Sequence, residues 1–196
     1  MKSIEVKATL RKEVGKKGTR DIRKSDAVPA VLYGDAKEDG KTKVTHITVT
    51  NDAVRNLVYS PNIYLINLNI DGTSCKAIMK DLQFHPVTDK LLHVDFYLIN
   101  EEKPIIMEVP VALTGLAEGV KAGGKLQLTL RKLKVKALYN QIPEKLNIDV
   151  TPLGLGKTIK VGELSFENLE LMNAKEAVVC AVKLTRAARG AAANNN

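Results

Sequence analysis

One short segment carries the side-chain pattern most suggestive of chemistry. Residues 91–97 read LLHVDFY, so a strand at this position places His93 and Asp95 on one face. A histidine and an aspartate at this spacing suit a metal site or a catalytic pair, but either use needs a third partner. The other histidines are His46 and His85, no cysteine is near in sequence, and no nucleophile stands out. Neither an enzyme nor a metal site is therefore predicted.

The same strand face fits two other interpretations, the polar outer face of a half-buried strand and part of an RNA-binding surface. In an RNA site Asp95 is repelled by phosphates, so it would accept hydrogen bonds from base N–H groups or a 2′-hydroxyl instead. His93 would donate a hydrogen bond to a phosphate or a base. The sequence pattern alone leaves both interpretations open.

A basic, glycine-containing segment, residues 11–24, is the second candidate. Its two glycines allow a loop in which backbone N–H groups and lysines meet phosphates. A short helical turn is predicted over residues 19–24, with Thr19 as its cap. The turn places three cations on one face: Arg20, Arg23 and Lys24. Asp21 is expected to point well away from that face.

The net charge of the chain is concentrated at its N-terminus. The 196 residues carry 30 Lys and Arg against 22 Asp and Glu, a formal net charge of +8. Nine basic and three acidic side chains in the first 24 residues give this segment a net +6. A polyanion is the natural partner of such a cluster, since each neutralised phosphate releases counterions, although a solvated basic face or a disordered arm also fits the charge. With Phe 3, Tyr 5 and Trp 0, base stacking on aromatic platforms is not the main expected binding mode.

Period-two alternation of apolar and polar residues predicts a mainly β fold. The clearest strand patterns are residues 47–49, 63–70, 91–98 and 126–130. A short helix is predicted after Thr50, Asn51 and Asp52, any of which can cap it, and Ser60-Pro61 stops it. Asp71-Gly72, between two strand patterns, predicts a tight hairpin.

The polar stretch Asn100–Pro104 is the predicted domain boundary. We expect a β-barrel domain at 1–100, a smaller β-rich domain at 101–185 and a disordered tail at 186–196. No apolar run approaches the ~20 residues of a membrane helix. The first ten residues have no apolar core typical of a secretory signal, so a cytoplasmic location is expected.

Several short motifs follow one another along the chain. Those of the first half are Arg11-Lys12-x-x-Gly15-Lys16, Thr19-Arg20-x-Ile22-Arg23, Val28-Pro29-Ala30-Val31-Leu32-Tyr33-Gly34, Lys80-Asp81-Leu82-Gln83-x-His85-Pro86-Val87 and His93-Val94-Asp95-Phe96. Those of the second half are Gly119-Val120-Lys121-x-Gly123-Gly124 and Ile142-Pro143. In this order the chain resembles the bacterial ribosomal protein twenty-five family, which binds 5S ribosomal RNA (5S rRNA) in the large subunit. The motifs of the second half resemble the long two-domain form, known as the general stress protein Ctc.

The resemblance implies a closed N-terminal β-barrel, similar to the anticodon-binding barrels of some aminoacyl-tRNA synthetases, followed by a C-terminal β-rich domain. It implies a non-enzymatic structural constituent of the cytoplasmic ribosome, with no cofactor, metal, membrane or small-molecule substrate. The implied partners are 5S rRNA, the large subunit and neighbouring ribosomal proteins. The alternative is a stress-induced general RNA-binding chaperone that is not stably part of the ribosome.

The resemblance also implies a set of RNA-binding residues: Arg11, Lys16, Thr19, Arg20, Arg23, Tyr33, Gln83, His93 and Asp95. It assigns the cations to phosphates and Tyr33 to stacking or a hydroxyl contact. Gln83, His93 and Asp95 would meet base edges and sugars in a wide, shallow minor groove. In the second domain, Lys132, Lys134 and Lys136 are predicted to share one strand face, as either a second RNA surface or a solvated outer face.

Overall fold

The computed structural model describes residues 2–38 and 41–185, which form two compact units. The first unit ends at Ile105 and also includes Leu138–Asn140, and the other described residues form the second unit. The expected tail, 186–196, lies outside the described residues. Within the described ranges, no helix is both long enough and apolar enough to cross a membrane.

The first unit is a closed β-barrel of six strands, as the resemblance implies. Its strands are β1 (Lys2–Leu10), β2 (Ala27–Glu38), β3 (Lys41–Thr50), β4 (Tyr64–Ile70), β5 (Thr73–Phe84) and β6 (Leu91–Leu98). They follow the order β1-β3-β2-β6-β5-β4 around the barrel, and β1 pairs with β4 in parallel to close it. β2 also runs parallel to β6, on the side of the barrel opposite the β1–β4 pair.

The barrel closes because alternate residues of its strands are apolar and point into one core. Fully buried members of this core are Val6, Ala30, Ile47, Ile66, Leu68, Val94 and Phe96. Helix α2 (Asn51–Val58) follows β3 directly and adds Val54 and Leu57 to the same core. Of the three candidate caps, Thr50 occupies the N-cap position, without a side-chain capping bond.

The strand pattern at 91–98 coincides with β6. The pattern at 63–70 coincides with β4, except that β4 begins one residue later, at Tyr64. The predicted hairpin is confirmed, because β4 and β5 are joined by Asp71 and Gly72 alone. Their φ angles of 45° and 95° are both positive, as a tight two-residue hairpin turn requires.

The second unit is β-rich, as predicted. Its strands are β7 (Ile105–Thr114), β8 (Lys125–Leu128), β9 (Lys132–Ala137), β10 (Leu146–Asp149), β11 (Thr158–Lys160), β12 (Glu170–Leu171) and β13 (Val178–Lys183). They form one sheet of order β10-β7-β9-β12 and another of order β11-β13-β8. Short helical segments lie at α3 (Glu118–Lys121) and, as 3₁₀ turns, at Tyr139–Gln141 and Val161–Glu163.

Strand β9 alternates as predicted. Leu133 and Val135 are buried, whereas Lys132 and Lys134 are exposed. The Nζ of Lys136 lies 3.0 Å from a carboxylate oxygen of Glu170, so its charge is already paired.

Candidate nucleic-acid interface

The outer face of β2, β6 and β5 brings four of the predicted site residues together. In the antiparallel β5–β6 pair, Gln83 lies directly opposite His93. In the parallel β2–β6 pair, Tyr33 lies beside Tyr97. Because His93 and Asp95 are two residues apart on β6, their side chains share this face. Residues far apart in sequence therefore meet on one polar surface.

His93 and Asp95 form a close pair on that face. The Nδ1 of His93 is 2.7 Å from Oδ1 of Asp95, and their side chains are 21% and 28% exposed. The contact lacks the direction of a hydrogen bond, so the buried Nδ1 atom has no hydrogen-bond partner among the described residues. The pair is thus close enough to interact electrostatically, and both side chains remain accessible to a ligand.

Tyr33 is held against a second ring. The ring centroids of Tyr33 and Tyr97 are 5.8 Å apart and their planes make an angle of 77°, an edge-to-face contact. Partial burial raises the pKa of the Tyr33 hydroxyl above its ordinary value, and the carboxylates of Asp95 and Asp81 raise it further. The hydroxyl therefore stays protonated at neutral pH and is available as a hydrogen-bond donor.

The basic segment forms a longer helix than predicted. Helix α1 spans Lys16–Lys24, three residues more at its start than the predicted turn. The prediction that Thr19 caps it is wrong, since Gly15 is the N-cap residue. Thr19 lies in the first turn, where its N–H and its hydroxyl both donate to the carbonyl of Gly15. Gly15 has φ 127° and ψ −175°, which glycine adopts far more readily than other residues. This conformation lets the helix begin at Lys16, earlier in the chain than predicted.

Arg11 connects the end of β1 to α1 instead of extending into solvent. Its Nη2 atom donates to the carbonyl of Glu13 at 3.3 Å and to the hydroxyl of Thr19 at 3.1 Å. Its Nε atom is buried without a hydrogen-bond partner among the described residues. Arg11 thus supports the helix through its Nη2 atom, while its buried Nε donor is left unpaired among the described residues.

The other end of α1 is joined to β6 by Arg23. Its Nε and Nη2 atoms both donate to the carbonyl of Leu92, at 3.2 and 2.9 Å. The remaining predicted cations of the helix, Lys16 and Arg20, are exposed. Neither has an ion-pair or hydrogen-bond partner for its side chain within the described part of the chain. They are therefore the cations of the predicted set with the least competition from the protein itself.

The expected orientation of Asp21 needs a correction. Its Oδ1 atom lies 4.0 Å from the Nζ of Lys24, one turn further along the helix. Both side chains are more than half exposed, so the pair is loose, but the carboxylate is not clear of the cationic face. Asp21 and Lys24 are three residues apart on α1, a spacing at which helix side chains meet.

The predicted set of RNA-binding residues leaves out two residues of this surface, Tyr97, which strand alternation places on the face of His93 and Asp95, and Asp81. Tyr97 supports the ring of Tyr33, and Asp81 lies opposite Asp95 across the β5–β6 pair. Strand alternation carries the signal for both, because Tyr97 follows Asp95 by two residues and Asp81 precedes Gln83 by two. Within the described ranges, no group of three or more His, Cys, Asp or Glu side chains is placed to hold a metal ion.

Both halves of the chain are similar in sequence to ribosomal proteins. Residues 6–96 match the Ribosomal L25p family, and residues 104–186 match the C-terminal domain of ribosomal protein TL5. A β-barrel with an attached β-rich domain is thus the architecture of a two-domain ribosomal protein. The chain belongs to the Ribosomal L25p family.

Its relatives match over nearly their whole length. A protein named large ribosomal subunit protein bL25 from Phocaeicola vulgatus is 70% identical over 194 residues, covering 98% of each chain. The protein of the same name from Bacteroides thetaiotaomicron is 65% identical over 198 residues, again covering 98% of each chain. One from Porphyromonas gingivalis is 63% identical over 193 residues with the same coverage. The two-domain organisation is therefore shared with these relatives.

Proposed function

We propose that this protein is a non-enzymatic structural constituent of the large ribosomal subunit, in the bacterial cytoplasm, and that its barrel binds 5S rRNA. The observation that carries the proposal is the placement of a cationic helix beside a polar strand face. Helix α1 is bonded to β6 at Leu92, the residue before His93. Phosphate-binding and base-reading groups therefore lie next to each other on one side of the barrel.

The two parts of this surface suit different parts of an RNA helix. The exposed ammonium and guanidinium groups of Lys16 and Arg20 neutralise phosphates and supply most of the affinity. Arg11, Thr19 and Arg23 support them from the two ends of α1.

The strand face supplies hydrogen-bonding groups instead of cations. The Tyr33 hydroxyl is a donor, the Gln83 amide is both a donor and an acceptor, and the Asp95 carboxylate accepts. Because a carboxylate repels phosphate, this face fits base edges and 2′-hydroxyls, which the wide minor groove of RNA displays. His93, beside Asp95, is the fourth strand-face residue that we propose to contact the minor groove.

The rival hypothesis of a general stress-induced RNA chaperone receives no support from the relatives, which carry the names of ribosomal proteins. The two functions differ in a measurable way. A chaperone binds unrelated RNAs about as tightly as 5S rRNA at moderate salt, whereas a ribosomal constituent prefers 5S rRNA and co-sediments stoichiometrically with large subunits.

The binding test compares two variants that each remove one positive charge from the barrel. Arg20→Ala should weaken binding of a 5S rRNA transcript by roughly 1–3 kcal/mol and flatten its salt dependence by about 0.7–0.9 log units per log unit of salt. Lys7→Ala is the matched control, because Lys7 is exposed on β1, on the opposite side of the barrel from β6. Filter binding at several salt concentrations measures both.

A third variant tests the strand face of Tyr33, Gln83, His93 and Asp95. Asp95→Ala should weaken binding of the 5S transcript with little change in salt slope, since no phosphate contact is lost. Unchanged affinity for both Arg20→Ala and Asp95→Ala would contradict the proposed interface. Equal losses for Arg20→Ala and Lys7→Ala would indicate a diffuse charge effect in place of a defined site.

A further inference from the structure

The guanidinium group of Arg23 is bound to the barrel itself. Two of its nitrogen atoms donate to one backbone oxygen, that of Leu92. Hydrogen bonds from a charged donor are stronger than neutral ones, and a guanidinium that shares one acceptor between two donors is held in a defined orientation. The bond spans 69 residues of sequence, so it fixes tertiary geometry.

A β-bulge makes the carbonyl of Leu92 available. Gln83 of β5 pairs with His93, but the next residue, Phe84, pairs with Leu91. Leu92 is therefore skipped in the β5–β6 register and has no opposite residue there. A residue left out of the ladder in this way can direct its carbonyl to a partner outside the sheet. Here that partner is Arg23 of α1.

Helix α1 contributes no buried side chain to the barrel core. The helix has nine residues, and none of them is buried. Isolated helices of this length are marginal in water and depend on tertiary contacts. At the opposite end of α1, the side chain of Arg11, just after β1, donates to the hydroxyl of Thr19.

We infer that Arg23 is a positioning residue, which docks α1 on the bulge at Leu92 and so sets the helix cations beside His93. In this role Arg23 acts through the protein, and the phosphates are neutralised by Arg20 and Lys16. The inference rests on the proposed RNA-binding function only where it predicts that docking of α1 strengthens RNA binding. The docking itself is a property of the free protein and is tested without RNA.

The first experiment measures hydrogen exchange of the α1 amides in the full-length protein without RNA. Arg23→Ala should speed exchange in residues 16–24 by about tenfold, since a charge-assisted bond is removed from a helix that buries no residue. Arg23→Gln should exchange at an intermediate rate, because the Gln Nε2 atom is as many bonds from the backbone as the Arg Nε and provides one donor nitrogen in place of two. Lys24→Ala is the matched control, which removes a cation of the same helix whose described ion pair is a loose one to Asp21 within α1, and it should leave exchange unchanged.

The second experiment measures binding of the 5S transcript at several salt concentrations. Arg23→Ala should weaken binding about three- to tenfold, because RNA must now order the helix, and should keep a salt slope near that of the unaltered protein. Loss of a phosphate contact would instead flatten the slope by about 0.7–0.9.

The outcomes distinguish a positioning role of Arg23 from a direct contact between Arg23 and a phosphate. Exchange in Arg23→Ala that equals that of Lys24→Ala overturns the inference, as does equally fast exchange in Arg23→Gln and Arg23→Ala. A flattened slope without faster exchange assigns Arg23 to a phosphate and also overturns it. Faster exchange together with RNA binding that is insensitive to every variant, Arg20→Ala included, supports the docking role while the proposed function fails.

Discussion

Substituting Gly15 by alanine tests how the chain enters the basic helix. Gly15 is the N-cap of α1, with φ 127° and ψ −175°. A side chain added here would meet nothing within 4 Å, so the cost is conformational and not steric. Backbone strain in this region costs about 1–3 kcal/mol for a residue other than glycine. Alanine also restricts the unfolded chain, which offsets about 0.4–1 kcal/mol of the strain.

These ranges leave a net cost of about 0–2.6 kcal/mol for Gly15→Ala, and the middle value of about 1.3 kcal/mol corresponds to roughly tenfold in an opening equilibrium. Because α1 buries no residue, the chain can relieve the strain by undocking the helix without opening the barrel core. Hydrogen exchange should consequently accelerate by that factor in residues 16–24 and stay unchanged in β6. Binding of a 5S transcript should weaken in parallel.

Gly156→Ala is the control for this variant, since Gly156 also has a positive φ, 72°, with open space around it, but lies in the second unit. It should leave exchange in α1 and binding of the 5S transcript unchanged. Normal α1 exchange in Gly15→Ala would show that the helix start tolerates another backbone conformation. Faster exchange throughout the barrel would show that α1 does not open independently of the core.

Three further measurements address the two units. Phe96→Ala should cost about 3–5 kcal/mol of barrel stability in urea unfolding, because the ring has no exposed surface, and a cost below about 1 kcal/mol would contradict that burial. Burial raises the pKa of the Cys75 and Cys180 thiols, so both should react slowly with a disulfide reagent at pH 7, and the fully buried Cys180 more slowly. Hydrogen bonds from Thr151 lower the pKa of Asp149 and so stabilise the folded state when this carboxyl group is ionised. The contribution to folding stability is present above the ordinary carboxyl pKa and is lost as the pH falls through the lowered value. Thr151→Ala should raise the Asp149 pKa in an NMR titration, and an unchanged pKa would refute this cause.

Local sequence predicted much of the barrel because its elements depend on neighbouring residues. The bounds of β6 follow from strict alternation, and the β4–β5 turn follows from Asp71-Gly72, which tolerates positive φ. The sequence-based prediction starts α1 at residue 19, three residues after its true start at Lys16. Its true N-cap, Gly15, has no side chain to signal the position, whereas Thr19 has the residue type of a cap but serves inside the first turn.

The sequence predicts which residues belong to the candidate site, but it does not predict how they are arranged in space. Alternation placed His93 and Asp95 on one face of β6, and the motif match supplied Tyr33 and Gln83. Their meeting depends on the pairing of β2 and β5 with β6, and the bulge at Leu92 sets the register that puts Gln83 opposite His93. Strand pairing between distant segments is decided by packing of the closed barrel, which no local pattern encodes.

The sequence by itself determined where the charge lies, which segments alternate as strands and which family the chain belongs to. Tertiary structure decided how the cations are used: Arg11 and Arg23 hold helix α1 in place, whereas Lys16 and Arg20 remain exposed. The physical reason is that an arginine side chain reaches several ångströms from its backbone. Its partner is therefore set by whichever carbonyl or hydroxyl the fold brings near, and in Arg23 this is a carbonyl that a bulge 69 residues away releases.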